Sequence, residues 1–401
     1  MTVTLDDIYK KHGEWLYLTD TRAIDLKLAI EVTRQMQLVE GGKPVWMIVV
    51  APSGSAKSEF LETLQKGMPL TTYDLPMMTS KSLVTGYKGG TDHVLEMDKK
   101  LVIVTDASRI TSLYGDKKHS VFSQLRDLYD GKAGQITGGE RNAKYNNLKV
   151  TMLWGAVPAI EREIILTGEL GTRFLMYFYE PPPSRNAMDM MLKRSAKKSI
   201  EQFKLETGEL EAALCRNIER DRMWEAVQIN DDVSNQLKGV AEHLATMRAS
   251  CEINWQVGVP IGILTKEEPT RAFGQFMRLY RALMSLDADY KHERAMSIIN
   301  QVAFSSGSRI RASVLKVIES NNPNVTTSDI SEELRLAYVR VRPECYILWQ
   351  MGILDKEEKV ITDALGRDQV AEAWSIHQTP SLQVGLGEMV KHETGQSLQK
   401  N

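Results

Sequence analysis

The apolar run Val45–Val50 passes straight into the small-residue stretch Ala51–Ser58, and that stretch passes straight into the helical segment Glu59–Gly67. No other feature restricts the fold as tightly. A continuous run rich in β-branched residues suits a strand covered on both faces, and such strands belong to parallel sheets with helices on either side. Three further runs share that character: LVIVTD (101–106), LKVTMLWGA (148–156) and RFLMYFYE (173–180). Helical patterns lie between them, notably at 58–66 and 117–129. Strands alternating with helices give an α/β fold on a parallel sheet.

The chain has 401 residues, enough for two or three domains. Residues 1–40 read as an N-terminal helical segment and 41–183 as the sheet-bearing core, which the run Pro181-Pro182-Pro183 closes. Residues 184–305 are helical in composition, and the charge-rich part 186–228 is expected to project as one long helix. A different pattern occupies 306–377, and 378–401 is a polar tail expected to be flexible. The formal net charge is −2, so any nucleic-acid surface must be a local patch. No apolar run approaches the roughly 20 residues a bilayer requires, and the N-terminus carries no apolar signal core. The expectation is a cytoplasmic protein with no membrane partner. Cys215, Cys251 and Cys345 are far apart, which fits reduced thiols better than a metal or a disulfide.

The stretch APSGSAKS follows the first strand where a phosphate-binding loop would. That loop has the pattern G-x-x-x-x-G-K-[ST], and here Ala51 and Ala56 replace both glycines. The context keeps the reading: a buried strand before, Lys-Ser at the end, a helix after. Residues Pro52–Glu59 (Ser53, Gly54, Ser55 and Ala56 between them) would cradle a triphosphate with the backbone N–H groups that follow Pro52 and with a helix N-terminus. Lys57 would reach the β- and γ-phosphates, and Ser58 would ligate Mg²⁺. Asp106, ending the second apolar run, would hold the metal's water shell from the neighbouring strand. The expected ligands are ATP and Mg²⁺.

These residues resemble those of the minichromosome-maintenance helicases, a group of AAA+ ATPases whose loop also carries Ala before Lys-Ser. VFSQLRDLYDGKAGQITGGERNAKYNNLKV is similar to the family's helix and pre-sensor hairpin, LGTRFLMY to its arginine-finger strand, and EPTRAFGQFMRLYRALM to its lid helix. Phage and mobile-element ATPases with the same core share the shapes L-R-x-x-Y-D-G and L-G-x-R-F-L. The resemblance spans about 40–360 and implies a ring, a hexamer, with ATP between subunits. It implies that Arg173 is an arginine finger, that Arg271 is the second sensor arginine, and that 184–305 is a helical lid. It further implies a hairpin at about 133–148 that grips DNA, with Lys132, Arg141 and Lys144 meeting phosphates.

Two positions depart from that pattern. The acid that positions water normally follows the strand-end Asp, and here Ala107 does. The polar sensor before Pro158 is Val157. Asp127 and Asp130, on the helix expected to cross the site, are the candidate substitutes, and Ser108 a weaker one. Residues 308–355 read as a winged helix-turn-helix, with Thr327 or Ser328 as a cap, a turn at Arg335–Leu336, and a second helix from about Ala337. Arg335, Arg340 and Arg342 would contact single- or double-stranded DNA, or the module serves protein packing alone. Pro343 argues for a helix starting near Val341. Two functions follow. One is a translocating helicase or replication initiator of a phage or mobile element. The other is an ATP-dependent DNA clamp or helicase-loading adaptor with little hydrolysis, and either could act beside a separate initiator or loader. An AAA+ transcription activator is disfavoured because no GAFTGA-like loop is present.

Overall fold

In a computed structural model, the described residues are 3–17, 20–75, 83–84, 92–108, 113, 115–135, 143–160, 170–179, 185, 188–189, 192, 198–254, 256–321, 324–362 and 367–377. The chain forms two compact units, Met1–Ser234 with Phe273–Val302, and Asn235–Ala272 with Ala303–Asn401. Among the described residues no helix is long and apolar enough to cross a membrane.

In chain order the first unit contains α1 (Leu5–Gly13), α2 (Arg22–Glu40), β1 (Trp46–Val50), α3 (Lys57–Gly67), β2 (Thr72–Asp74), α4 (His93–Met97), β3 (Leu101–Val104), α5 (Gly115–Tyr129), β4 (Lys132–Gln135), β5 (Ala143–Asn146), β6 (Thr151–Ala156), β7 (Phe174–Phe178) and α6 (Ile200–Asp221). Five strands make one sheet in the order β2-β3-β6-β1-β7, every pair parallel. β1, β3 and β6 are buried along their whole length, as their unbroken apolar runs require. One face packs Trp46, Trp154 and Phe174 against Val121, Phe122 and Leu125 of α5. The short edge strand β2, sequence TYD, was not among the expected strands.

The other face is covered by helices that carry charge inward. In α2, Asp25, Lys27, Glu31 and Arg34 are all buried. The Lys27 ammonium donates to Glu211 on α6 at 2.6 Å, to Thr63 Oγ1 at 2.7 Å and to the Phe60 carbonyl at 3.0 Å. Thr63 donates to the second Glu211 oxygen at 2.8 Å, and His12 Nε2 lies 2.7 Å from the first. None of these four side-chain-bearing residues is exposed. Burial, with Lys27 nearby, pushes His12 below its ordinary pKa, so it sits neutral beside the ion pair. The segment expected to project therefore does not: α6 buries Phe203, Thr207, Glu211 and Cys215. It meets α3 backbone to backbone, because a Cβ built on Gly67 would fall 1.9 Å from the Gly208 carbonyl oxygen, and one on Gly208 would fall 2.2 Å from that of Thr63.

The rest of the chain contains α7 (Asp231–Met247), β8 (Ile253–Asn254), β9 (Val259–Pro260), α8 (Thr270–Met284), α9 (His292–Ser306), α10 (Arg309–Ser320), β10 (Val325–Thr326), α11 (Thr327–Leu334), α12 (Tyr338–Gln350), β11 (Leu354–Thr362) and β12 (Asp368–Ile376). In the second unit α10, α11 and α12 pack around Val314, Ile318, Val341, Leu348 and Trp374, beside a sheet in the order β10-β12-β11. The cap of α11 is Thr326, one residue before the expected position, in a reciprocal box with Asp329. α12 starts at Tyr338 with Ala337 at its cap, which agrees with a helix from about Ala337 and not with a start near Val341, and it contains Pro343 in its interior. The turn between these helices closes on Arg335 at φ 52°.

Candidate functional site

The site begins where β1 ends. Ala51 is buried and its N–H donates to the Ala156 carbonyl at 3.1 Å, and it does not take a positive φ, so the first loop position makes no demand for glycine. Gly54 (φ 79°) and Ala56 (φ 59°, ψ 21°) take the left-handed turns that wrap the loop. At Ala56 a Cβ in that region costs about 1–2 kcal/mol. Ala56→Gly is therefore expected to raise stability in urea titrations by about 1 kcal/mol, the relief being partly offset by the greater freedom of glycine in the unfolded chain. A loss of stability there would show that the loop carries no such strain. No side chain caps α3, which leaves the start of the helix to the backbone alone.

Lys57 opens α3 and folds back over the loop, donating to the carbonyls of Ala51 at 2.8 Å and Pro52 at 2.9 Å. Burial pulls its pKa below the ordinary value, and the Asp106 carboxylate opposes that pull. Lys57 and Asp106 thus lie within electrostatic reach of each other. Ser58 Oγ faces the Thr105 carbonyl at 3.5 Å, one residue before Asp106. Asp106 is exposed and accepts the Ser108 N–H at 2.9 Å. Gly155 allows this convergence: a Cβ there would meet the Thr105 oxygen at 2.7 Å and Leu61 at 3.0 Å. The hydroxyl and carboxylate are hard oxygen donors, which suits Mg²⁺. Pro52, Ser53 and Gly54 are exposed and Glu59 half-buried, so the loop's outer surface is open. Ala107 is fully buried in the core beneath the sheet, and Val157 follows β6 with an apolar side chain, so neither offers a group to water.

Arg173, Asp127 and Asp130 stand elsewhere. β1 and β7 are in register from Trp46↔Phe174 to Val50↔Phe178. Arg173 therefore lies at the starting edge of the sheet, and the loop after Val50 lies at the finishing edge, roughly 17 Å away along the strands. Asp130 follows the end of α5 and is paired with Lys43 before β1 and with Arg173 at 3.4 Å. Asp127 is exposed in the last turn of the same helix. The expectation that these two acids position water in their own chain's site is corrected: α5 has carried them to the opposite edge. Arg173 lies over the Tyr129 ring at 5.7 Å, and its Nε is buried with no partner. Gln275 on α8 donates to Tyr129 Oη at 3.2 Å and to the Arg173 carbonyl at 3.3 Å, a support invisible in the sequence pattern. Arg271 is exposed in the first turn of α8, in the second unit, near the buried Arg248.

The expected hairpin exists as β4 paired with β5, and its tip, with Arg141, lies outside the described residues. The register Lys132↔Asn146 and Gly134↔Lys144 puts Lys132 and Lys144 on one exposed face, while Ala133 and Tyr145 turn to the core. In the second unit Arg340 is exposed. Arg342 is not available to phosphate, and that expectation is corrected. Its guanidinium donates to both Glu372 oxygens, at 2.9 and 2.8 Å, and to the Val257 carbonyl at 2.6 Å.

No family model matches the chain, and no curated protein matches it. Among solved structures it is similar to one titled "SCCmec type IV Cch - active helicase", with a TM-score of 0.41 and 11% identity, over 96% of this chain and 72% of that one. A likeness that distant assigns no activity.

Proposed function

We propose that the chain is an AAA+ P-loop ATPase that works on DNA as a ring, with ATP and Mg²⁺ bound between subunits. The observation that carries the reading is the split of charged groups between the two sheet edges. Lys57, Ser58 and Asp106 converge at the finishing edge, around a loop that leaves backbone N–H groups for phosphate. Arg173 stands at the starting edge, where only another subunit's triphosphate can meet it. The strand order, with the loop leaving β1 between β6 and β7 and the carboxylate leaving β3, supports the AAA+ assignment. The metal would be held by Ser58 and by the water shell of Asp106, and would neutralise charge on the phosphates.

The two lysines on the outer face of the β4–β5 hairpin favour sequence-independent DNA contact that weakens with salt. In the second unit the three helices and the β11–β12 ribbon support a winged helix, with Arg340 among its exposed cations. A helicase or initiator of a phage or mobile element, six subunits to the ring and loaded by another protein, combines these features. The buried Ala107 favours a second reading, an ATP-dependent clamp or loading adaptor with slow turnover. Fluorescent ATP-analogue titration tests the shared part: Lys57→Ala should weaken binding at least about tenfold through loss of the β- and γ-phosphate contact, and undiminished affinity would falsify it. Turnover with and without single-stranded DNA separates the rest, since the adaptor gains nothing from DNA.

A further inference from the structure

The finishing edge has the groups to bind a triphosphate, but the position directly after Asp106 offers water no carboxylate. The position after Asp106 is buried alanine, and the two acids of α5 have gone to the starting edge. There Asp130 is joined to the very arginine that the proposed function sends into a neighbouring site. One oxygen accepts from Arg173 Nη2 at 3.4 Å, and the other accepts from the Lys43 ammonium. The Asp130 side chain is 39% exposed, so it is open to a facing subunit. Gln275 and Tyr129 fix the root of Arg173, which keeps the pair in place.

We propose that Asp130 is the water-aligning acid of this ATPase and that it acts in trans, entering the neighbour's site together with Arg173. This rests on the trans role of Arg173. A guanidinium on the γ-phosphate brings a carboxylate 3.4 Å from it to the same end of the triphosphate, where the attacking water must sit. A carboxylate so near phosphate would be repelled, and Lys43 on its other oxygen offsets that charge. Against the burial that would raise it, the Lys43 ammonium and the Arg173 guanidinium hold the Asp130 carboxyl below its ordinary pKa. It therefore aligns water and does not keep a proton. The water oxygen bonds to the γ-phosphorus as the bond to the β–γ bridging oxygen breaks. ADP leaves with that oxygen and its electron pair. One water proton remains on the inorganic phosphate, and the other passes to solvent.

The test uses the full chain with Asp130→Asn, which keeps shape and removes the charge. Turnover should fall about 10²-fold or more, while KM for ATP and ATP-dependent assembly, followed by sedimentation, stay near the wild type. A merely structural role would move assembly as well. Asp130→Glu should recover part of the rate. Mixing Asp130→Asn with Lys57→Ala chains should give more activity than either alone, because one kind of interface then joins an intact loop to an intact Asp130. Wild-type turnover in Asp130→Asn overturns the proposal. So does a mixture that stays inactive while Arg173→Ala mixed with Lys57→Ala recovers, an outcome that leaves the arginine's role standing. If neither mixture recovers, the trans arrangement fails and this proposal fails with it.

Discussion

Glu211→Gln is expected to destabilise the sheet-bearing unit by about 3–5 kcal/mol, the cost of leaving one member of a buried ion pair alone. Lys27 has no exposure, and its other partners, Thr63 and the Phe60 carbonyl, are neutral. Glutamine keeps the volume but cannot offset the ammonium. Guanidinium unfolding followed by circular dichroism measures the loss. Adding Lys27→Met to Glu211→Gln should return most of it, since the strain lies in the unpaired charge and not in the cavity. A single mutant within 1 kcal/mol of wild type would mean that water reaches Lys27. Acid works through the same group. Against burial that would raise it, Lys27 and His12 hold Glu211 down to about 2. Its contribution is complete above the ordinary carboxylate value near 4.5 and is lost as pH falls towards 2.

Arg173→Ala should lower turnover about 10³-fold, equivalent to about 4 kcal/mol of transition-state stabilisation, with ATP affinity retained. The prediction comes from register alone. Along β1 the starting and finishing edges are separated by the full length of the strand, so Arg173 cannot meet the phosphates proposed for its own Lys57. Single-turnover kinetics with excess enzyme separate chemistry from binding. Chains with Arg173→Ala mixed with Lys57→Ala should regain activity, because each mutant spoils a different side of the interface. Turnover equal to wild type in Arg173→Ala would remove the finger. A rate that collapses and is not recovered by mixing would place the arginine's effect within one chain.

The four apolar runs gave away β1, β3, β6 and β7 because strands buried on both faces need no periodicity to be recognised. β2 escaped because three residues at a sheet edge carry too little apolar signal. The closeness of Lys57, Ser58 and Asp106 follows from short local connections, because Lys57 and Ser58 open the helix after β1 and Asp106 lies just past β3. Other errors involve partners distant in sequence. The charges of α2 meet partners that its own sequence does not show: Glu211 and Arg294 come from later helices and Tyr290 from the segment before α9, to reach Lys27 and Asp25. Arg342 looks free until Glu372 returns along β12. Asp130 was assigned to the wrong edge because a helix's sequence does not reveal which way its end points relative to the strands.

The contact between Gly67 and Gly208 limits how this sequence can drift. Neither position can gain even a methyl group while the other stays put, because what each would strike is main chain, which has no rotamer to yield. A change at one must be matched by a shift of a whole helix, and α3 is the helix whose first residue is Lys57. Mutational wandering far from the loop, at the joint between two helices, would therefore be felt at the loop that Lys57 closes over. Two glycines at the far end of α3 and on α6 thus share in fixing where Lys57 and Ser58 stand.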